Sequence, residues 1–191
     1  MSKNRLEAFS DGVLAIIITI MVLELKPPHG TDWESVKPVM PALLSYVMSF
    51  LFVGVYWGNH HHLLHLAKNF TSGIMLANLN LLFWLSLVPF ATGWVGENHF
   101  ASLPVMVYAL LLNVCGISYT ILQKVIENCN KDSQQIKLLL KRQTRKGLLS
   151  IFLYGSAAGL AWLNSYISIA IFFFVAIMWL VPDKNIEKAL Q

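Results

Sequence analysis

The chain has 191 residues, of which 56% are hydrophobic and only 13% charged, and two cysteines. That balance excludes a soluble enzyme with a solvated surface and leaves no room for a separate soluble domain beside several membrane crossings. The formal charge of +4 is not a nucleic-acid footprint, because the basic residues flank apolar runs instead of forming a stripe on a folded surface, and Cys115 and Cys129 read as structural.

In chain order, the uncharged runs predict an all-α, polytopic membrane protein with one domain over 1–191 and six transmembrane helices, at about 5–25, 39–65, 70–96, 99–124, 146–163 and 166–182. The last two come from one run, Gly147 to Pro182, which as a single helix would reach roughly 54 Å. Asn164-Ser165-Tyr166 at its middle reads as a tight hairpin. Pro41 falls in a first helical turn and costs little, whereas Pro89 lies inside the third span and predicts a kink. Of the 14 basic residues only Lys26 and Lys37 lie on one side of this topology. The positive-inside rule therefore puts both termini in the cytoplasm of a cell-membrane protein and makes Lys124 to Lys146 a basic cytoplasmic link that can also touch membrane lipid. Asp11 and Glu24 interrupt the first apolar run, so it does not read as a cleaved signal peptide.

The first span is unusual. About 18 Å of helix fits between Asp11 and Glu24, so a full crossing draws Arg5, Glu7 and Asp11 toward membrane depth. A charge facing lipid there costs at least ~2.5 kcal/mol, so these side chains should face protein or water and the helix should be central, unless all three charges sit in the headgroup layer. A helical period sets Gly12, Ile16, Thr19 and Leu23 on one stripe with Ile20 beside it, and turns Asp11 away from it. By periodicity alone the stripe is a lipid-facing or core face; in a ring of copies it is a narrow apolar throat with one hydroxyl layer.

Arg5-Leu6-Glu7-Ala8-Phe9-Ser10-Asp11 matches the RxxxFSD signature of the transmembrane-protein-175 potassium channels, and the following GVLAIIITIMVLEL also resembles that family's first helix. The resemblance implies a homotetramer whose first helices line a potassium-permeable pore with apolar constrictions and no TVGYG filter, a motif this chain also lacks. By distance from the motif, Ile16 matches the constriction isoleucine, and Thr19 and Leu23 match further pore-facing layers.

Arg5, Phe9, Ser10 and Asp11 read as a structural clasp for this helix. Its expected partners are Trp57 and His61, four residues apart on the second helix, and Asn78 on the third. The run His60-His61-His62 leaves the register of the histidine open by one residue. His61 and His65 have a spacing that can bind metal on a helix face, but no carboxylate stands among them and there is no H-E-x-x-H, so no metal or cofactor is expected beyond permeant potassium ions. The expected function is a passive, potassium-preferring cation channel with a hydrophobic gate. The alternative is a proton- or cation-coupled transporter using Asp11 as relay.

Overall fold

The computed structural model describes residues 3–67, 71–130 and 133–180, apart from the side chains of 135–137 and 139. These residues form helices α1 (Lys3–Leu23), α2 (Trp33–Val36), α3 (Met40–His65), α4 (Ser72–Leu85), α5 (Val88–Glu97), α6 (Ser102–Cys129), α7 (Gln134–Leu160) and α8 (Ser165–Leu180), with a 3-10 turn at Lys37–Val39 before α3. Among the described residues four stretches are long and apolar enough to cross a membrane: Lys3–Leu23, Trp33–His65, Ser72–Glu97 and Ser102–Cys129. The apolar helix α8 is shorter, and α7 carries a basic first half.

Helix boundaries follow local chemistry. Asp32 Oδ1 accepts the Ser35 amide at 3.0 Å and caps α2, Pro41 sits in the first turn of α3, and Thr71 Oγ1 accepts the Ile74 amide at 3.3 Å to cap α4. The expected kink in the third span is a break: α4 ends at Leu85, and α5 restarts at Val88 with Pro89 in its first turn. Proline has no N–H to continue the ladder, so the chain closes α4 with Ser86 N–H to Leu82 O at 2.9 Å and begins anew. The expected hairpin between the last two helices is present, with Asn164 Oδ1 accepting the Tyr166 amide at 2.9 Å.

Two expectations change. The fifth helix begins at Gln134, about three turns before the position 146 that hydropathy marks, so the basic link is helical from Gln134 onward. Hydropathy marks where lipid begins; Gln, Lys, Arg and Leu are all good helix formers on either side of that boundary. The centre of the single chain is also not α1 but α6, whose Tyr108, Leu112, Cys115 and Leu122 are fully buried. Helix α6 packs on α4, α5, α7 and α8, while α1 lies at the edge against α3, α4 and α5.

Candidate functional site on the first helix

Helix α1 has two faces, alike in chemistry and opposite in burial. Leu6, Ser10, Leu14, Ile17 and Met21, three or four residues apart, are its buried residues and dock it on α3, α4 and α5. The opposite face is uncovered: Ile16 is 57% exposed, Ile20 43% and Leu23 78%, with Gly12 and Thr19 exposed beside them. The five stripe residues therefore share one face that no other described part of the chain covers. The Thr19 hydroxyl donates back to its own helix, to Ile16 O at 3.0 Å and Ala15 O at 3.1 Å. Its proton is thereby held inward, and its lone pairs are directed away from the backbone.

The clasp is built from the next face. Asn78, on α4 and fully buried, donates from Nδ2 to Ser10 Oγ at 2.9 Å, and Ser10 Oγ donates to Leu6 O at 2.8 Å. With the Asn78 amide donating to Ser10, its Oδ1 is the acceptor for His60 Nε2 at 2.6 Å. Asp11 Oδ1 accepts from Trp57 Nε1 at 3.0 Å, and Lys3 Nζ donates to His65 O at 3.0 Å. Glu7 lies one turn from Lys3, 3.9 Å from its ammonium.

Helices α1, α3 and α4 are thus joined by side chains at one end of the fold. The buried polar groups of Ser10, His60 and Asn78 thus find protein partners there, as the cost of burying them unpaired requires.

The structure brings Ser10 and Asp11 of the motif together with Asn78 and Trp57, but it joins His60 rather than His61 to that network. His61 instead lies beside Trp57 with ring centroids 6.4 Å apart, and against His65 at 4.5 Å. Three consecutive histidines point about 100° apart, and only His60 falls on the face of α3 buried by Ser49, Phe52, Val53, Leu63 and Leu64. Arg5 and Phe9 also differ from the expected clasp. Both are exposed, Phe9 by 48%, and they lie on the uncovered face with Gly12 and Ile16.

A second polar network was not foreseen. Ser49 Oγ and Tyr108 OH are 2.8 Å apart, Thr92 Oγ1 is 2.7 Å from Ser49 Oγ and donates to Val88 O at 2.7 Å, and Ser45 Oγ donates to Thr92 O at 2.7 Å. All four residues are buried, so α3, α5 and α6 are stitched together beside Met21 of α1. The only signal for it in the sequence is Ser45 and Ser49, four apart in an apolar run. Beyond this level Lys26 and Glu97 form an exposed ion pair at 2.7 Å, which raises the Lys26 ammonium's pKa above its ordinary value. Among the described residues no group of three or more His, Cys, Asp or Glu side chains is placed to hold a metal ion.

An all-helical bundle with several membrane-length apolar helices, clamped by buried polar side chains and leaving one face of its first helix uncovered, defines a polytopic membrane protein. Residues 5–89 match the family model described as endosomal/lysosomal potassium channel TMEM175. A curated potassium channel of a Chryseobacterium species is 49% identical over 191 residues, covering 100% of this chain and 99% of that one. The human endosomal/lysosomal proton channel TMEM175 is 36% identical over 96 residues, which are 44% of this chain and 19% of that longer protein. The crystal structure of a lysosomal potassium-selective channel TMEM175 homolog from Chamaesiphon minutus superposes with a TM-score of 0.78 at 28% identity, covering 94% of this chain and 96% of that one. The chain belongs to the TMEM175 family, which is a family of ion channels and not of enzymes.

Proposed function

We propose that the chain is a passive, potassium-preferring cation channel of the cell membrane, with six spans and cytoplasmic termini, in which four copies place the uncovered face of α1 around one central pore. The observation that carries this reading is the division of α1 into a docked face and an uncovered one. Among the described residues a single chain is filled by its core and offers the stripe no partner, so a pore built from it requires several copies. The match of nearly the whole chain to a potassium-selective homolog supports the same conclusion.

In that arrangement Ile16 forms the tightest apolar ring, with Ile20 and Leu23 as further layers and Gly12 as the narrow point of helix approach. A ring of branched aliphatics excludes water when closed and conducts after slight widening, so no charged gate is needed. Thr19 supplies an oxygen layer: with its proton committed to the backbone, the hydroxyl offers a lone pair to a partly dehydrated cation. Ser10 and Asp11 hold the helix through Asn78 and Trp57, setting its position without lining the path. Arg5 and Phe9 meet the neighbouring copy at the motif end.

The test is flux from liposomes containing purified protein, with potassium, sodium or protons as the only permeant cation. Potassium flux above sodium flux, linear in driving force, is the expected result. Because the human relative is named a proton channel, the proton arm carries a second reading of the pore. Saturable flux abolished by Asp11→Asn would instead favour a coupled transporter with Asp11 as relay.

A further inference from the structure

The helical start of α7 converts a basic run into a basic face. Lys141, Arg142 and Arg145 are exposed, as are Leu148, Leu149 and Phe152, the last by 70%. At helical period these six fall within about a third of the circumference, while Leu140, Gln143, Gly147, Ser150 and Tyr154 are buried opposite. Along one uncovered stripe the side chains therefore change from cationic to apolar within about 5 Å of helix rise. In a loop the same charges would have no common direction.

The rotation of α7 is fixed. Gln123 of α6 donates from Nε2 to Leu140 O at 3.0 Å and to Thr144 Oγ1 at 2.6 Å, and Ser150 Oγ accepts from Trp179 Nε1 at 2.8 Å. Lys146 is drawn off to the side, donating to Met178 O at 3.2 Å with its ammonium 5.9 Å from the Trp179 ring centroid. Lys141 and Arg145 lie exposed on the outer stripe, in line with the apolar residues, with Arg142 exposed at its margin.

We infer that this stripe of α7 is a binding site for an anionic phospholipid, with the phosphate headgroup held by Lys141, Arg142 and Arg145 and an acyl chain lying along Leu148, Leu149 and Phe152. Charge complementarity selects the anionic lipid, and the sharp boundary from basic to apolar matches the boundary between headgroup and acyl chain within one leaflet. A zwitterionic lipid also carries a phosphate, but its own ammonium offsets that charge, so it matches the basic half less well. A second copy of this chain would have to present an acidic band in register with an apolar one.

The test uses the full chain in nanodiscs and symmetric liposomes of phosphatidylcholine with or without phosphatidylglycerol, so that orientation does not matter. Retained lipid is identified by native mass spectrometry, a readout independent of conduction. The expected result is about tenfold enrichment of phosphatidylglycerol over phosphatidylcholine on the wild type, weakened at high salt. The triple variant Lys141→Gln, Arg142→Gln, Arg145→Gln loses the enrichment, and Lys37→Gln, at the other end of the fold, keeps it. Equal enrichment on the triple variant, or a change in its oligomeric state with retained lipid unaltered, overturns the inference. Phosphatidylglycerol bound by a protein that carries no potassium flux would overturn the channel reading and leave this one standing.

Discussion

Asn78 Nδ2 donates to Ser10 Oγ across 2.9 Å while Asn78 Oδ1 is 2.6 Å from His60 Nε2, so a single amide side chain ties α1, α3 and α4 together. Neither neighbour has a substitute partner within the clasp, because the other ring nitrogen of His60 is buried without one and Ser10 otherwise bonds only its own helix. Asn78→Leu should therefore lower stability by about 1–2 kcal/mol, with Ser10→Ala costing less. Thermal unfolding of the purified protein in detergent measures it, and an unchanged midpoint for Asn78→Leu would deny the clasp its role.

Ile16→Ala and Ile16→Asn should raise potassium flux several-fold at unchanged protein stability. Ile16 is 57% exposed in the chain, so truncating it leaves no cavity in the core, while a wider or wettable ring lowers the barrier to ion entry. Single-channel recording or liposome flux reads the effect. Wild-type conduction in both variants would remove Ile16 from the constriction.

Thr19→Val retains the shape of the side chain and deletes its oxygen. The reversal potential under opposed potassium and sodium gradients should shift toward zero, because the layer that replaces hydration oxygen is lost. Thr19→Ser keeps the oxygen and should retain the wild-type value. If valine and serine behave alike, the hydroxyl plays no part in selection.

Arg5 is exposed at the motif end of α1 and has no intrachain partner among the described residues. Cationic side chains near membrane depth are expensive without a counter-group, so in the proposed assembly a neighbouring copy supplies the acceptor. Arg5→Gln should shift the population from tetramer toward smaller species in size-exclusion chromatography with light scattering, while the helix content of each chain is retained. A tetramer of wild-type stability from the Gln variant counts against the subunit contact.

The rotation of α1 was readable in the sequence because a period of 3.6 acts on residues of contrasting type. A glycine, three aliphatics and a hydroxyl at Gly12, Ile16, Ile20, Leu23 and Thr19 lie together on the uncovered face, and Asp11 turns away to Trp57. The choice among His60, His61 and His62 was not readable from the histidines themselves. It depends on the rotation of α3, which is set by Phe52, Val53, Leu63 and Leu64 in a helix too uniformly apolar to show a face. The start of α7 was hidden for a different reason. Hydropathy responds to solvent, and Gln134 to Lys146 form a helix outside the apolar run. The break at Ser86 and Leu87 was half legible: Pro89 located it, but whether a proline bends or severs a helix is decided by packing, here that of α5 against α3.

The two faces of α1 separate two kinds of genetic lesion. Changes at Leu6, Ser10, Leu14, Ile17 or Met21 disturb the packing of every individual chain, so their effect is felt as less protein reaching the membrane. Changes at Ile16, Thr19 or Leu23, on the exposed face, spare that packing, and in the proposed pore their effect is felt as altered current per molecule. In a co-expressing cell the first kind reduces dosage and is masked by a wild-type copy. In the proposed tetramer the second enters mixed assemblies and acts dominantly, from residues one or two positions away on the same helix.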